Sequence, residues 1–410
     1  MNQLSGQTGR IAVCGYGIAG AATAILLSRK GHDVTLVEQA PDPDAMGAGI
    51  MLQPSGQWVL SQMGLLDGLN EQACVLKGFR ARTHLGDPLI RLNPTKDFPG
   101  HWSWGMHRGD IFTRLKQEVD QMGITIKPGH RILGFEGTFQ TGFSLATSEG
   151  SLGPFDFLVV ADGGRSTLRG LMGVPHLTWE YRHGAYWKIF DRPPEEPYLI
   201  QGVKGTDCLV GLLPTGPNQT SFFVSIDQFQ RYQIEERGID AFKKEVGEIL
   251  PETHAFLNEI HSFDDFVFTT YRHCWMKSWW QPGICFLGDA AHAMSPHLGQ
   301  GVNLALEDAW WFSQFFDGRA GSDFCLNSYE RYRRRKVRFY ALVTAFLTPF
   351  FQGGGPLVAW LRNLALPLMI KVPPLRRLMA GAMFGIRKSF WSTDPAIASN
   401  PQKLVEPPHS

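Results

Sequence analysis

The chain has almost no net charge. Its 410 residues carry 39 Lys and Arg against 38 Asp and Glu, for a net charge of +1. A nucleic-acid surface needs a clustered basic excess, so this balance argues against such a partner. Long apolar runs are missing as well. None approaches the roughly 18 residues of a membrane span, so no integral membrane contact is expected. Residues 1–9 are polar and lack the apolar core of a secretory signal. Cysteine is scarce, and Cys14, Cys74, Cys208, Cys274, Cys285 and Cys325 form no Cys-x-x-Cys pair. That leaves no disulfide framework to read, and a reducing cytoplasm is the expected location. No internal repeat is visible. Aromatic residues, by contrast, are plentiful at 12%, with 12 Trp. They suit a core, and they suit a pocket for a flat ring.

A chain of this length should divide into about two domains. The apolar run Ile11–Cys14 leads into Gly15-x-Gly17-x-x-Gly20, and helical spacing follows through Ala21, Ala24, Ile25 and Leu27. Val34–Val37 is a second apolar strand closed by Glu38, which completes one βαβ unit. Residues 40–57 are Gly/Pro-rich and read as loop, and a helix covers 108–122. Alternating runs at 181–190, 197–203, 207–213 and 219–225 read as an antiparallel sheet. A helical stretch, 227–249, follows. Ile284–Leu287 is a buried strand that enters a second Gly-rich junction. From about 320 the chain is helical and strongly basic over 329–338, then broken by Pro349, Pro356, Pro367, Pro373 and Pro374.

Three junctions carry the chemistry. In the first, Gly15 permits a tight turn, Gly17 lets backbone approach a pyrophosphate, and Gly20 permits close helix–strand packing. The helix N-terminus offers free N–H groups and a positive dipole to phosphates. Glu38 can accept from ribose hydroxyls and would repel a 2′-phosphate. The second junction is Gly288-Asp289-Ala290-Ala291-His292, followed by Pro296, Gly299-Gln300-Gly301 and Asn303. Asp289 can hold ribityl or ribose hydroxyls. The helix opened by Gly301 can stabilise negative charge on a reduced flavin. Two nucleotide-type junctions almost three hundred residues apart are expected to hold one long cofactor at two points, which points to FAD. In the third junction, Asp162-Gly163-x-x-Ser166-x-x-Arg169 follows the buried strand 157–161, and its plain alternative is a helix-capping turn. His292 and His297 fit no common metal site, so no metal is expected.

In this order and at these separations the three motifs resemble those of the class A flavoprotein monooxygenases, the para-hydroxybenzoate hydroxylase-like family, over roughly residues 10–345. The resemblance implies an α/β fold: a Rossmann-like FAD-binding domain of para-hydroxybenzoate hydroxylase type, an interleaved antiparallel β-sheet substrate domain and a helical C-terminal region. The expected division is FAD binding at 10–75, 101–176 and 276–345, and substrate binding at 76–100 and 177–275. A helical region at 346–393 and a disordered tail at 394–410 complete it. The resemblance implies non-covalent FAD contacts from Gly15, Gly17, Gly20, Glu38, Arg108, Asp162, Gly163, Asp289, Gly299, Gly301 and Asn303, with Pro296 at the flavin ring. Gln53-Pro54-Ser55-Gly56 is similar to the family's loop after the second strand.

The implied activity is that of a single-component monooxygenase acting on a small phenolic or N-heteroaromatic molecule. NADH or NADPH reduces the FAD, O2 adds at flavin C4a, and the hydroperoxide delivers OH to the ring. No second G-x-G-x-x-G joins a strand to an acidic strand end, so the nicotinamide is expected to bind transiently. Trp102-Ser-Trp104 lacks the Ile-Pro that completes a flavin-halogenase motif. A saturating isoprenoid reductase, a flavin halogenase and a non-catalytic FAD-binding protein remain as alternatives. The thioredoxin-like domain of the phenol hydroxylase branch is not expected. Three uses stay open for 346–390: cover for the pocket, a homodimer face, or contact with a membrane surface. On strand 181–188, one face carries Tyr181, His183 and Trp187 and the other Arg182, Tyr186 and Lys188. The first suits a flat ring, with His183 as a base for a phenolic proton.

The purified protein is therefore expected to be yellow. Acid release followed by chromatography should recover FAD, and recovery of FMN would contradict the two-anchor reading.

Overall fold

The computed structural model describes residues 8–43, 48–318 and 323–399. Its nucleotide-binding half rests on a six-stranded sheet, Trp280–Gln281, Ile284–Phe286, Phe157–Val160, Arg10–Cys14, Asp33–Val37 and Thr125–Lys127 in spatial order. All neighbours but the first pair run parallel. Register aligns the carboxyl ends: Cys14 pairs with Val37 and with Val160, and Val160 pairs with Phe286. Four consecutive loops therefore leave the sheet at one edge, where open α/β sheets bind ligands. Helix Ile18–Ser28 buries nine of its eleven residues, most of them small. It lies between the sheet and helices Arg108–Gln121 and Gly301–Phe315.

The second half is a seven-stranded sheet. It is antiparallel except where Tyr198–Lys204 runs parallel to Gly78–Thr83. Four of its strands, His176–Phe190, Tyr198–Lys204, Cys208–Pro214 and Thr220–Asp227, fall on the expected alternating runs. A fifth, Val267–Met276, lies at the edge beside His176–Phe190 and was not legible, because its residues mix buried and exposed positions without a clean period. One face is packed by Tyr186, Phe242, Phe263, Phe266 and Phe268. The other face looks toward the nucleotide half.

Three expectations are corrected. The stretch 40–57 is not all loop, since it contains strand Gly49–Leu52, paired with Ser103–His107, and the first turn of helix Pro54–Gln62. Pro349 and Pro367 lie inside helices Asp323–Phe351 and Gly355–Lys371. One break falls instead at Gly353–Gly354, and the other falls as expected before Pro373, at Val372, whose extended backbone is what a following proline demands. Finally, Asp394–Ser399 pack onto the body. Asp394 is buried and caps the short helix Pro395–Ala398, and the rest of the expected tail, 400–410, lies outside the described residues.

Helix Gly301–Phe315 carries two carboxylates, Glu307 and Asp308, with no solvent exposure. Arg333, also buried, donates from Nη1 to Glu307 at 2.5 Å, from Nε to Asp308 at 2.8 Å and from Nη2 to the Leu304 carbonyl at 3.2 Å. Lys336 pairs with Glu307 at 2.8 Å and lies 3.7 Å from Asp394. Asp308 also takes His292 at 2.6 Å and the Gly288 N–H at 3.1 Å. Burial would raise the Asp308 carboxyl, but His292 and Arg333 outweigh it and hold it down at about 2.

Removing one partner of a buried pair typically costs about 3–5 kcal/mol. Arg333→Met should therefore lower unfolding free energy by that order in urea titration. The Asp308 carboxyl lies below its unfolded value of 3.8, so its contribution is complete above about pH 4 and is lost as pH falls toward 2. The acid-induced loss over that window should shrink in Arg333→Met.

Candidate active site

The four loops at the carboxyl edge open into one cavity of about 1600 Å³. A drug-sized ligand fills roughly 300–1,000 Å³, so there is room for a dinucleotide-sized ligand and a second molecule. Gly15, Gly17, Glu38, Arg108, Asp162, Gly163, Asp289, Pro296, Gly299 and Gly301 all line it. Gly20, Asn303 and His183 do not.

The three glycines of the first loop act differently. Gly15 has φ +106°, and a Cβ there would sit 2.5 Å from the Ala161 carbonyl oxygen. A Cβ on Gly20 would lie 1.9 Å from the Gly15 oxygen. Both positions are fixed by packing. Around Gly17, in contrast, a Cβ would meet nothing within 4 Å, and the residue faces the cavity. That open cradle beside the N-terminus of helix Ile18–Ser28 fits a pyrophosphate. The Glu38 carboxylate fastens the loop by accepting from Tyr16 N–H at 2.7 Å and Ala40 N–H at 2.9 Å. Each oxygen keeps a lone pair for a ribose hydroxyl.

The Asp162 junction does both things its sequence allowed. Ser166 Oγ accepts from Arg169 N–H at 3.1 Å, and Asp162 Oδ2 accepts from Thr167 N–H at 3.0 Å, so a capping turn is present. Yet Asp162 Oδ1 is buried without a hydrogen-bond partner among the described residues, which leaves an acceptor for a ligand hydroxyl. Burial raises this carboxyl, opposed by hydrogen bonds from Ser166 and the helix N–H groups. Buried Arg169 donates to the Ala290 carbonyl at 2.7 Å and the Gly164 carbonyl at 2.8 Å, stitching this junction to the Gly-Asp junction.

Asp289 is exposed to the cavity and makes no hydrogen bond with a described residue. It is an open acceptor at the cavity wall. Arg108 is likewise exposed at the cavity wall, at the first turn of helix Arg108–Gln121, whose cap is His107. Asn303 acts from beneath. Its Oδ1 accepts from Gln53 N–H at 2.9 Å, and its Nδ2 donates to the carbonyls of Met51 and Gly299 at 3.0 Å. Together with Gln53 Nε2 on the Leu298 carbonyl and Gln300 on Gln53, it ties the 51–57 segment to the loop before helix Gly301–Phe315. No side chain caps that helix, and its first residues, Gly301 and Val302, line the cavity. Gly17, Asp162 Oδ1 and this helix end are thus a donor and acceptor set that fits FAD.

Beyond Pro296–Gly301 the cavity turns apolar. The sheet supplies Trp187 and Phe223, stacked with centroids 4.9 Å apart, along with Leu199 and Leu213. The C-terminal helices supply the opposite wall, including Phe346, Phe351 and Met383. Of the two faces of strand 181–188, Trp187 lies on the cavity and Tyr186 turns away to donate to Glu235 at 2.8 Å. Tyr181 is engaged with His273 Nδ1 at 3.1 Å. His183 is buried beneath the Gln352–Gly353 turn and is not among the residues that line the cavity. Burial lowers its pKa against the pull of Asp227. At this end an imidazole on the wall is that of His297, whose Nδ1 meets Ser295 Oγ at 2.6 Å and whose Nε2 has no hydrogen-bond partner among the described residues. Burial and the neighbouring His183 push it down to about 4, so it is neutral near pH 7. His292 faces Asp308.

The profile of the family described as "FAD binding domain" matches residues 9–341. The 6-hydroxynicotinate 3-monooxygenase of Pseudomonas fluorescens is 25% identical over 315 residues, 74% of this chain and 81% of that protein. A 2-heptyl-3-hydroxy-4(1H)-quinolone synthase of Pseudomonas aeruginosa is 24% identical over 369 residues, 86% of this chain and 92% of that one. Among solved structures, 2-methyl-3-hydroxypyridine-5-carboxylic acid oxygenase superposes with a TM-score of 0.76 at 22% identity, covering 92% and 96% of the two chains. The chain belongs to the FAD binding domain family and, with these relatives, to its single-component FAD-dependent monooxygenases.

As an apoprotein Gly17→Ala should melt at the parent's temperature yet lose FAD on gel filtration, because only the cradle is filled. Gly20→Ala should lower the melting temperature itself. Equal behaviour of the two variants would contradict the separation of packing and ligand roles.

Proposed function

We propose that the protein hydroxylates a phenolic or N-heteroaromatic ring held in the apolar end of the cavity, with FAD held by Gly17, Glu38, Asp162, Asp289 and the N-terminus of helix Gly301–Phe315. The observation that carries this reading is the continuity of one cavity from the nucleotide loops to an aromatic-lined end. The names of the relatives, a hydroxynicotinate monooxygenase and a hydroxyquinolone synthase, support a ring substrate.

When bound, FAD supplies the oxygen-transfer chemistry at the expense of NAD(P)H and O2. The chain does the rest. The open N–H groups at Gly301 and Val302, with the helix dipole, favour negative charge beside them. Trp187 and Phe223 offer a flat apolar wall against which a ring can be oriented. Phe346, Phe350 and Phe351 cover that end and exclude water. His297 Nε2 is the polar handle. Its Nδ1 partner is a hydroxyl that can donate or accept, so Nε2 can accept from a phenol or donate to a ring carbonyl. Because His297 stays neutral above about pH 5, its part is orientation more than general-base catalysis.

The test is a screen of phenols and N-heteroaromatics for stimulated NAD(P)H oxidation, scored by product mass. Oxygen-independent reduction of a prenyl double bond would favour the isoprenoid reductase instead. For a substrate found this way, His297→Ala should lower kcat/KM by roughly 10- to 100-fold, the worth of a lost hydrogen bond of about 1–3 kcal/mol. FAD content should stay unchanged, and the profile from pH 6 to 9 should show no break assignable to His297. His183→Ala should have the smaller effect.

A further inference from the structure

Between Glu330 and Asp394 the sequence has no carboxylate, while twelve Lys and Arg fall there, in a chain whose other residues are clearly acidic on balance. Some of these cations are internal: Arg333, Lys336 and Arg362 are buried, Arg334 pairs with Glu330 and Arg376 with Asp97. Arg331, Arg335, Arg338, Lys371 and Arg377 are exposed, with no carboxylate among the described residues beside them.

The same segment exposes large apolar groups. On helix Gly355–Lys371 the buried positions are Ala359, Arg362 and Leu366, spaced for one face. Leu357, Trp360, Leu361, Leu364 and Leu368 occupy the opposite face and are exposed, Leu357 at 69% and Trp360 at 61%. A helix with one apolar stripe packed inward and a second turned to solvent is unpartnered on that second side. Further along, Lys388 N–H bonds to the Ser392 carbonyl at 2.9 Å and Arg387 bridges Thr393. This closes a short turn that presents Phe390 and Trp391, the latter 94% exposed, next to Arg387 and Lys388.

We propose that the C-terminal helices form a docking surface for an anionic lipid bilayer, with Trp360, the Leu stripe and the Phe390–Trp391 turn entering the interface and the exposed cations meeting lipid phosphates. Aromatic and aliphatic side chains interleaved with cations, without a single opposing charge, fit that surface. A second copy of this chain offers it less: that copy would bring the same cations against these, and the carboxylate-free segment could not answer them. Among the described residues no single helix is long and apolar enough to cross a membrane, and helices Asp323–Phe351 and Gly355–Lys371 bend by 113° at their junction. Phe346, Ala365, Leu366 and Met369 on these helices, Leu378 on the following helix Pro373–Met383 and Phe390 in the turn also line the apolar end of the cavity. If the hydroxylation reading holds, an aromatic substrate with an apolar tail would reach the cavity from the lipid.

The test uses the full-length FAD-loaded protein with vesicles of phosphatidylcholine alone or mixed with phosphatidylglycerol, separated by sedimentation. We expect retention on the anionic vesicles, weakened by salt. Trp360→Ser with Trp391→Ser should lower partitioning at least tenfold with FAD content and melting temperature unchanged. Lys371→Ala and Arg377→Ala should each lower it by about fivefold. No retention on anionic vesicles would overturn the proposal, as would undiminished retention of the variants. So would a dimer in analytical ultracentrifugation that the tryptophan variant dissolves without any vesicle binding, which would assign the face to a second copy. Vesicle binding is read without turnover, so its failure is distinct from failure of the hydroxylation reading.

Discussion

The junction that presents Asp289 is held by a charge cluster with almost no access to water. Asp308 sits on helix Gly301–Phe315, takes the Gly288 N–H and His292, and is itself neutralised by Arg333 from the next helix. Three elements that also share an apolar core are thereby locked together. These are the Gly288–His292 turn, the helix whose N-terminus faces the cavity, and the helix that leads into the C-terminal region. Buried ions are costly unless fully paired, so any arrangement that separates these elements strands a charge. The cluster therefore specifies geometry at the cofactor end in the same stroke as it connects that end to the helices walling the substrate end.

The cavity follows from two alignments. Parallel strands with matched carboxyl ends bring Gly15–Gly17, Glu38, Asp162 and Asp289 to one edge, and the seven-stranded sheet faces that edge with its aromatic side. Neither half encloses a site alone. Closure comes from the C-terminal helices, whose apolar residues complete the wall opposite Trp187 and Phe223. This division suits a monooxygenase of this family. Polar backbone holds the long cofactor where charge must be managed, and a dry aromatic wall holds the ring where water must be kept out.

Much of the nucleotide end was legible because its signals are local. Short apolar strands run straight into Gly15-x-Gly17-x-x-Gly20 and Gly288-Asp289, and a glycine pattern at a strand end has few other uses. The alternating runs from 181 to 225 were legible for the same reason, since a period of two needs only a few residues to appear. What escaped depends on contacts distant in sequence. Arg333 and Lys336 looked like part of a basic helix, and only the carboxylate pair Glu307–Asp308 in an otherwise apolar helix hinted that buried cations must answer it. His183 and His297 were both visible as histidines. Which of them meets the cavity depends on how the Gln352–Gly353 turn folds over the sheet, and no local pattern encodes that. The two Pro residues inside helices misled for a related reason: packing against the sheet and its neighbours outweighed a local penalty.

The central claim is that one continuous cavity couples FAD to hydroxylation of a ring lying against Trp187 and Phe223. The most direct measurement is turnover of an active substrate under 18O2, in ordinary water, with NAD(P)H consumption followed in parallel. The account predicts one labelled oxygen atom in each product molecule and one NAD(P)H consumed per label incorporated. Product oxygen drawn from water, or a reduced product formed equally well without O2, would contradict it.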